Sequence, residues 1–156
     1  MTTNWQYHNN GKSTTISCIN DMQKFEPKVW GFVYHLTLIN KKTGKEEFCY
    51  IGKKNIYTKR KRKFGKKEAA TITDKRKKLY EYEIKESDWK NYCSSNKFIK
   101  ENKDNYTIKR DIIRFCTNDS DLSYREQVEI ICQGTLDNPM YLNSGCSLRR
   151  FGDKIM

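Results

Sequence analysis

The sequence predicts an α/β fold of the α+β kind, a small mixed or antiparallel three-stranded sheet flanked by helices. Three observations carry that expectation. From Val29 to Ile39 the chain is rich in β-branched, aromatic and aliphatic residues, and Phe32, Tyr34, Leu36 and Leu38 share one face by two-residue alternation. The polar run Asn40-Lys41-Lys42-Thr43-Gly44-Lys45 makes a turn, after which Glu47 to Gly52 reads as the returning strand of a hairpin. Late in the chain, Leu122 to Gln133 is populated with helix formers, behind Asp121 or Ser123 as N-cap and ahead of Gly134 as a stop.

The remaining elements follow in order. Residues 1 to 28 are polar, with Asn9-Asn10-Gly11-Lys12-Ser13-Thr14-Thr15 offering little to bury, and read as an irregular N-terminal arm with room for one short strand. Lys53 to Lys67 is intensely basic and fits a short helix broken near Gly65. Residues 74 to 86 are of mixed charge and fit a helix, and Glu86-Ser87-Asp88-Trp89-Lys90-Asn91-Tyr92 reads as a connector. Ser94 or Ser95 caps a short helix to about Lys103, and Tyr106 to Cys116 resembles another strand.

With 156 residues the chain is one domain's worth, and 31 Lys and Arg against 19 Asp and Glu leave a net charge of +12. Basic side chains gain affinity by releasing the counterions condensed on a polyphosphate, so the charge points to an anionic partner without saying which. No run of 18 or more apolar residues is present to span a bilayer, and Met1-Thr2-Thr3-Asn4-Trp5 lacks the character of a signal peptide, so a cytoplasmic protein without membrane attachment is expected. The six cysteines (Cys18, Cys49, Cys93, Cys116, Cys132, Cys146) show no C-x-x-C pair, which argues against structural zinc and for free thiols used in packing.

Two short motifs then stand out, Gly31-Phe32-Val33-Tyr34 and Tyr50-Ile51-Gly52, held on adjacent strands by the hairpin and followed at once by the basic segment. This arrangement resembles the GIY-YIG endonuclease family, and most closely its Seg-like, free-standing phage members. The resemblance runs from about Val29 to Asn143, so residues 29–156 form one GIY-YIG-like nuclease domain in this reading. The first motif is one residue longer than its namesake, and the stretch from His35 to Cys49 is long for the family, which a longer hairpin turn absorbs.

The resemblance implies Mg²⁺-dependent hydrolysis of a DNA phosphodiester, with Mn²⁺ as a substitute, leaving 5′-phosphate and 3′-hydroxyl ends. Tyr34 would be the base that activates water. Free tyrosine titrates near pH 10, so that role needs about 2.7 kcal/mol of help from nearby cations, which the basic segment is expected to give. Tyr50 would hold the phosphate or tune Tyr34. The family's arginine, two turns into the helix after the second motif, falls on Arg60, with Arg62 as the alternative; a guanidinium fork suits phosphoryl oxygens. Glu126, followed by Gln127, matches the metal-binding glutamate. Leu122 and Ile130 stand four residues to either side, so Glu126 shares their face and should be partly buried. One carboxylate suits one Mg²⁺ that keeps waters and substrate oxygens. Asn143 matches the family's late asparagine and would orient the glutamate or a water. Lys53, Lys54, Lys59, Lys61, Arg62 and Lys63 would bind DNA phosphates, while Trp89 or Tyr92 would stack on DNA, with a buried anchoring Trp89 as the alternative, and Ser94 and Ser95 would contact phosphate.

A single centre cuts one strand at a time, so a monomer or a weak homodimer on DNA is expected. The homing or host-DNA-degrading role of such phage enzymes would be carried out in the host cytoplasm. Other classes fit less well. Glu83-Ile84-Lys85, with Asp74 upstream, matches half of a restriction-type metal site but lies where charged triplets arise by chance. A nuclease centred on histidines needs more than His8 and His35, and His35 should point to the sheet face opposite Tyr34. The non-enzymatic alternative is a basic, catalytically inactive nucleic-acid-binding module.

Overall fold

The computed structural model describes residues 2–63, 70 and 80–145. Five strands form one mixed sheet in the order β2-β1-β7-β3-β4: β1 is Trp5–Asn9, β2 Lys12–Ile16, β3 Gly31–Asn40, β4 Glu46–Asn55 and β7 Tyr106–Cys116. Strands β5 (Tyr57–Lys63) and β6 (Tyr80–Glu86) pair with each other in a second, two-stranded sheet. The α-helices among the described residues are α1 (Ile19–Gln23), α2 (Lys97–Asn102) and α3 (Asp119–Cys132). The chain divides into two compact units, Met1–Ile56 with Asp88–Met156, and Tyr57–Ser87.

The three expected strands form the antiparallel run β7-β3-β4 at one end of the five-stranded sheet. Their alternation sorts the core. Val33, Ile51 and Cys116 pack on one side of the sheet against Leu122 and Ile130 of α3. Phe32 and Tyr34 pack on the other side against Trp5, at ring-centroid distances of 4.9 and 5.5 Å. Helix α3 comes close to the sheet because residue 31 is glycine. A Cβ there would lie 2.6 Å from Leu122 Cδ2 and 2.7 Å from the Lys54 carbonyl oxygen.

Residues 1 to 28 are not an irregular arm. They hold the β1-β2 hairpin and α1, and β1 joins the sheet in parallel with β7, pairing Gln6 with Asp111. The turn between β1 and β2 is Asn10-Gly11, with φ of 49° and 78°, the two left-handed residues that a tight hairpin turn demands. The sheet is thereby wider than three strands.

Three further expectations are corrected. Tyr57–Lys63, expected within a helix, is strand β5, because it pairs residue for residue with β6; Gly65 lies outside the described residues. Tyr80–Glu86 is likewise strand rather than helix, and residues 74–79 lie outside the described residues. The caps also shift. Asn96, not Ser94 or Ser95, caps α2 by accepting the Ile99 N–H, and Asn118, not Asp121 or Ser123, caps α3 by accepting the Asp121 N–H at 2.8 Å. Strand β7 and the stop at Gly134 (φ 61°) lie where expected. Among the described residues no helix is long and apolar enough to cross a membrane. Their cysteines are all free; Cys146 lies outside them.

Candidate active site

Antiparallel pairing of β3 with β4 sets Tyr34 opposite Gly52 and Leu36 opposite Tyr50, so the two motif tyrosines are diagonal neighbours on one sheet face. Their ring centroids are 6.3 Å apart. The Tyr34 ring lies over Gly52: a Cβ at residue 52 would meet the Tyr34 hydroxyl oxygen at 2.4 Å and Cζ at 2.5 Å. The glycine of the second motif is therefore the seat of the first motif's tyrosine.

Tyr34 is 1% exposed. Burial, and then the Tyr92 and Tyr50 phenols beside it, push its hydroxyl well above the usual tyrosine range, with the neighbouring Ser94 hydroxyl opposing them. Desolvation, rather than the expected cationic help, dominates at Tyr34 in the free chain. Tyr50 is half-buried. Burial raises it as well, Ser94 and Ser95 pull it back, and the charge of Glu126 adds to the rise.

Strand β4 is the outer strand of the sheet, and the free edge of its backbone organises the second half of the site. The Cys49 N–H donates to the Met140 carbonyl and the Leu142 N–H to the Cys49 carbonyl, both at 2.8 Å. Two residues along, Asn143 takes the place of a strand: its Oδ1 accepts the Ile51 N–H at 3.0 Å and its Nδ2 donates to the Ile51 carbonyl at 2.8 Å. The next outward N–H, that of Lys53, acts on the Glu126 carboxylate so as to favour its charged form. Asn143 thus fixes the edge of β4 beside Tyr50, rather than orienting Glu126 directly.

Glu126 is half-buried, as its position between Leu122 and Ile130 predicts, and the Gln127 side-chain amide donates to it at 3.2 Å. Burial raises its carboxyl above the ordinary carboxylate range, partly offset by the charge of Lys53, whose Nζ donates to Ser123 Oγ on α3 at 2.5 Å. Tyr50, Asn96, Glu126, Gln127, Asn143 and Ser144 line a polar cleft of about 190 Å³.

No cluster of three His, Cys, Asp or Glu residues suited to a metal exists among the described residues. A half-buried carboxylate in a cleft lined by amide and hydroxyl side chains suits a hard divalent cation that keeps most of its water. Glu126 is the residue that would hold it.

Residues 88–96 close the tyrosine side. Lys54 Nζ is 2.5 Å from Asp88 Oδ1, which holds the aspartate below its usual range, and 4.0 Å from the Tyr92 ring centroid. Tyr92 is itself 6.1 Å from Tyr34. Lys54 is therefore part of the tyrosine cluster, beyond the phosphate-binding role expected of it.

Trp89 cannot stack on DNA here. It is fully buried, and its carbonyl accepts the Trp5 indole N–H at 2.8 Å. Ser94 is 4% exposed and turned toward the tyrosines, while Ser95 is exposed. Ser94 also has φ 116°, a conformation costly for a residue with a side chain.

The residue that sequence reasoning missed is Arg110. It is buried, and its guanidinium donates to the carbonyls of Thr3 (2.7 Å), Lys90 (2.8 Å) and Tyr92 (2.9 Å), with its Cζ 4.5 Å from the Trp5 ring centroid. It pins the segment that carries Trp89, Tyr92 and Ser94. Its alternation with Ile108 and Ile112 on β7 is the only signal that marks it for burial.

The basic residues beyond Ile56 belong to the second unit. Arg60 is exposed on β5, in register with Glu83, so the helical spacing that singled it out does not apply on a strand. Arg62 pairs with Glu81 and, at 3.3 Å, with Glu83. Lys59 and Lys61 are exposed on the same strand, which ends at Lys63. His35 stays structural, 3.1 Å from the Tyr141 hydroxyl on the opposite sheet face.

A protein-family model described as "Putative endonuclease segE, GIY-YIG domain" matches residues 17–146. No curated protein and no solved structure matches the chain.

Proposed function

Because the chain belongs to the GIY-YIG endonuclease family, we propose that it is a divalent-metal-dependent endonuclease that hydrolyses DNA phosphodiesters at the cleft between Tyr50 and Glu126. The observation that supports this reading is the convergence of both motif tyrosines, Glu126 and Asn143 on a few residues of β4. Glu126 would hold the cation, Mg²⁺ or Mn²⁺, which would supply charge neutralisation for the phosphoryl transfer. Tyr50 faces the cleft and orients the phosphate. Tyr34, as a phenolate whose own proton has passed to solvent, accepts the proton of the attacking water. Burial keeps its phenol neutral in the free chain, so this role is fulfilled only in the substrate complex. The water oxygen bonds to phosphorus as the bond to the 3′ oxygen breaks, leaving a 5′-phosphate and a 3′-hydroxyl.

Lys54 in the first unit and Arg60 in the second are the two candidates for the cation on the phosphate. One centre per chain makes nicking the first event, from a monomer or from a weak homodimer assembled on DNA.

Conversion of supercoiled plasmid to nicked and linear forms tests the proposal. With Mg²⁺ the natural protein should nick, and Glu126→Ala and Tyr34→Phe should each lose about 100-fold or more in rate while DNA binding persists. Arg60→Ala and Lys54→Ala, run side by side, identify the phosphate cation by which loses more. Salt-sensitive binding with no cleavage on any DNA or metal would instead assign the chain as a binding module.

A further inference from the structure

The second unit has two unlike faces. Strands β5 and β6 pair antiparallel from Tyr57↔Glu86 to Lys63↔Tyr80, so residues two apart share a side. On one side Arg60 and Arg62 stand across from Glu83 and Glu81, and Arg62 contacts both carboxylates. On the other side Lys59 is opposite Ile84 and Lys61 opposite Tyr82, with Tyr57 and Glu86 at one end. Tyr82 is 62% and Ile84 59% exposed, set between exposed lysines.

We infer that this lysine, tyrosine and isoleucine face is a β-ribbon that enters the major groove of double-stranded DNA. A two-stranded ribbon has the width of that groove, about 12 Å. Lys59 and Lys61 neutralise flanking phosphates while Tyr82 and Ile84 meet the apolar edges of bases and sugars. Charge complementarity selects the occupant. A second copy of the same face would bring lysine against lysine, and the deep, narrow major groove of A-form RNA excludes a ribbon. The inference rests on the nuclease reading only in taking DNA as the polymer.

The test is fluorescence anisotropy with a short DNA duplex and an RNA duplex of the same sequence, without divalent cation, over a range of salt. Lys59→Gln/Lys61→Gln should reduce the slope of log affinity against log salt by about two, one for each phosphate that is no longer neutralised. Tyr82→Ser/Ile84→Ser should weaken DNA binding about tenfold and leave that slope unchanged. Lys85→Gln, on the opposite face beside Thr58, should shift neither. Thermal melts verify that each variant is folded.

Equal effects of the Lys59/Lys61 and Lys85 variants, unchanged binding by the Tyr82/Ile84 variant, or RNA bound as tightly as DNA would each overturn the inference. Plasmid cleavage by the natural protein separates the two claims. Cleavage with ribbon-independent binding sinks the ribbon alone, and ribbon-dependent binding without cleavage sinks the nuclease reading alone.

Discussion

A methyl group added at Gly52 would sit 2.4 Å from the Tyr34 hydroxyl oxygen, closer than van der Waals contact allows. Gly52→Ala should therefore cost about 1–3 kcal/mol and lower the melting temperature by roughly 2–10 °C, while displacing the ring it collides with. Ser94 offers the opposite signature. Its left-handed backbone suits glycine, so Ser94→Gly should raise the melting temperature and lower the cleavage rate, because the variant has no hydroxyl beside the two phenols.

At Glu126 the sign follows from linkage. Burial raises the folded carboxyl above its ordinary value of 4.5, so the folded chain binds the proton more tightly than the unfolded chain. Stability then falls as pH rises from that ordinary value through the raised one. Glu126→Gln should flatten this part of the pH profile and stabilise the chain at neutral pH. Mg²⁺ should raise the melting temperature of the natural protein and leave that of the variant unchanged. The half-burial of Glu126 was legible because Leu122 and Ile130 flank it at helical spacing. The burial of Tyr34 was not, because strand alternation does not report how deeply an aromatic side chain is covered by the segments that cross above it.

Among the elements, the outer edge of β4 is completed by a side chain where a neighbouring strand would ordinarily lie. Asn143→Ala removes both hydrogen bonds to Ile51. It should cost about 1–3 kcal/mol and speed exchange of the Ile51 amide proton in hydrogen-exchange experiments. The β3-β4 hairpin was readable from alternating apolar positions around a polar turn. The β1-β2 hairpin carries an equally specific turn signal in Asn10-Gly11, but its polar flanks, Gln6 to His8 and Ser13 to Thr15, hide the strands. Lysine and arginine favour helices, so Tyr57–Lys63 reads as one. Pairing with Tyr82 and Ile84, far along the chain, makes it a strand instead.

For the molecule as a whole, the basic excess announced an anionic partner from composition alone, yet the division into two units left no mark in the sequence. Ile56-Tyr57 and Ser87-Asp88 carry no glycine or proline linker. Both ends of the first unit's interruption meet in the Lys54–Asp88 ion pair. Replacing residues 57–87 by a short Gly-Ser linker should then leave a cooperatively melting first unit whose affinity for DNA is reduced at every salt concentration, measured by calorimetry and anisotropy. The parallel pairing of Gln6 with Asp111 also has a consequence in time. A ribosome adding 5–20 residues per second needs about 5 to 20 s to travel between those two residues. Trp5 therefore leaves the exit tunnel well before β7 exists to shelter it. The nascent N-terminal hairpin is meanwhile open to chaperone capture or to pairing with a neighbouring nascent chain, and rapid synthesis should favour a higher yield of folded protein.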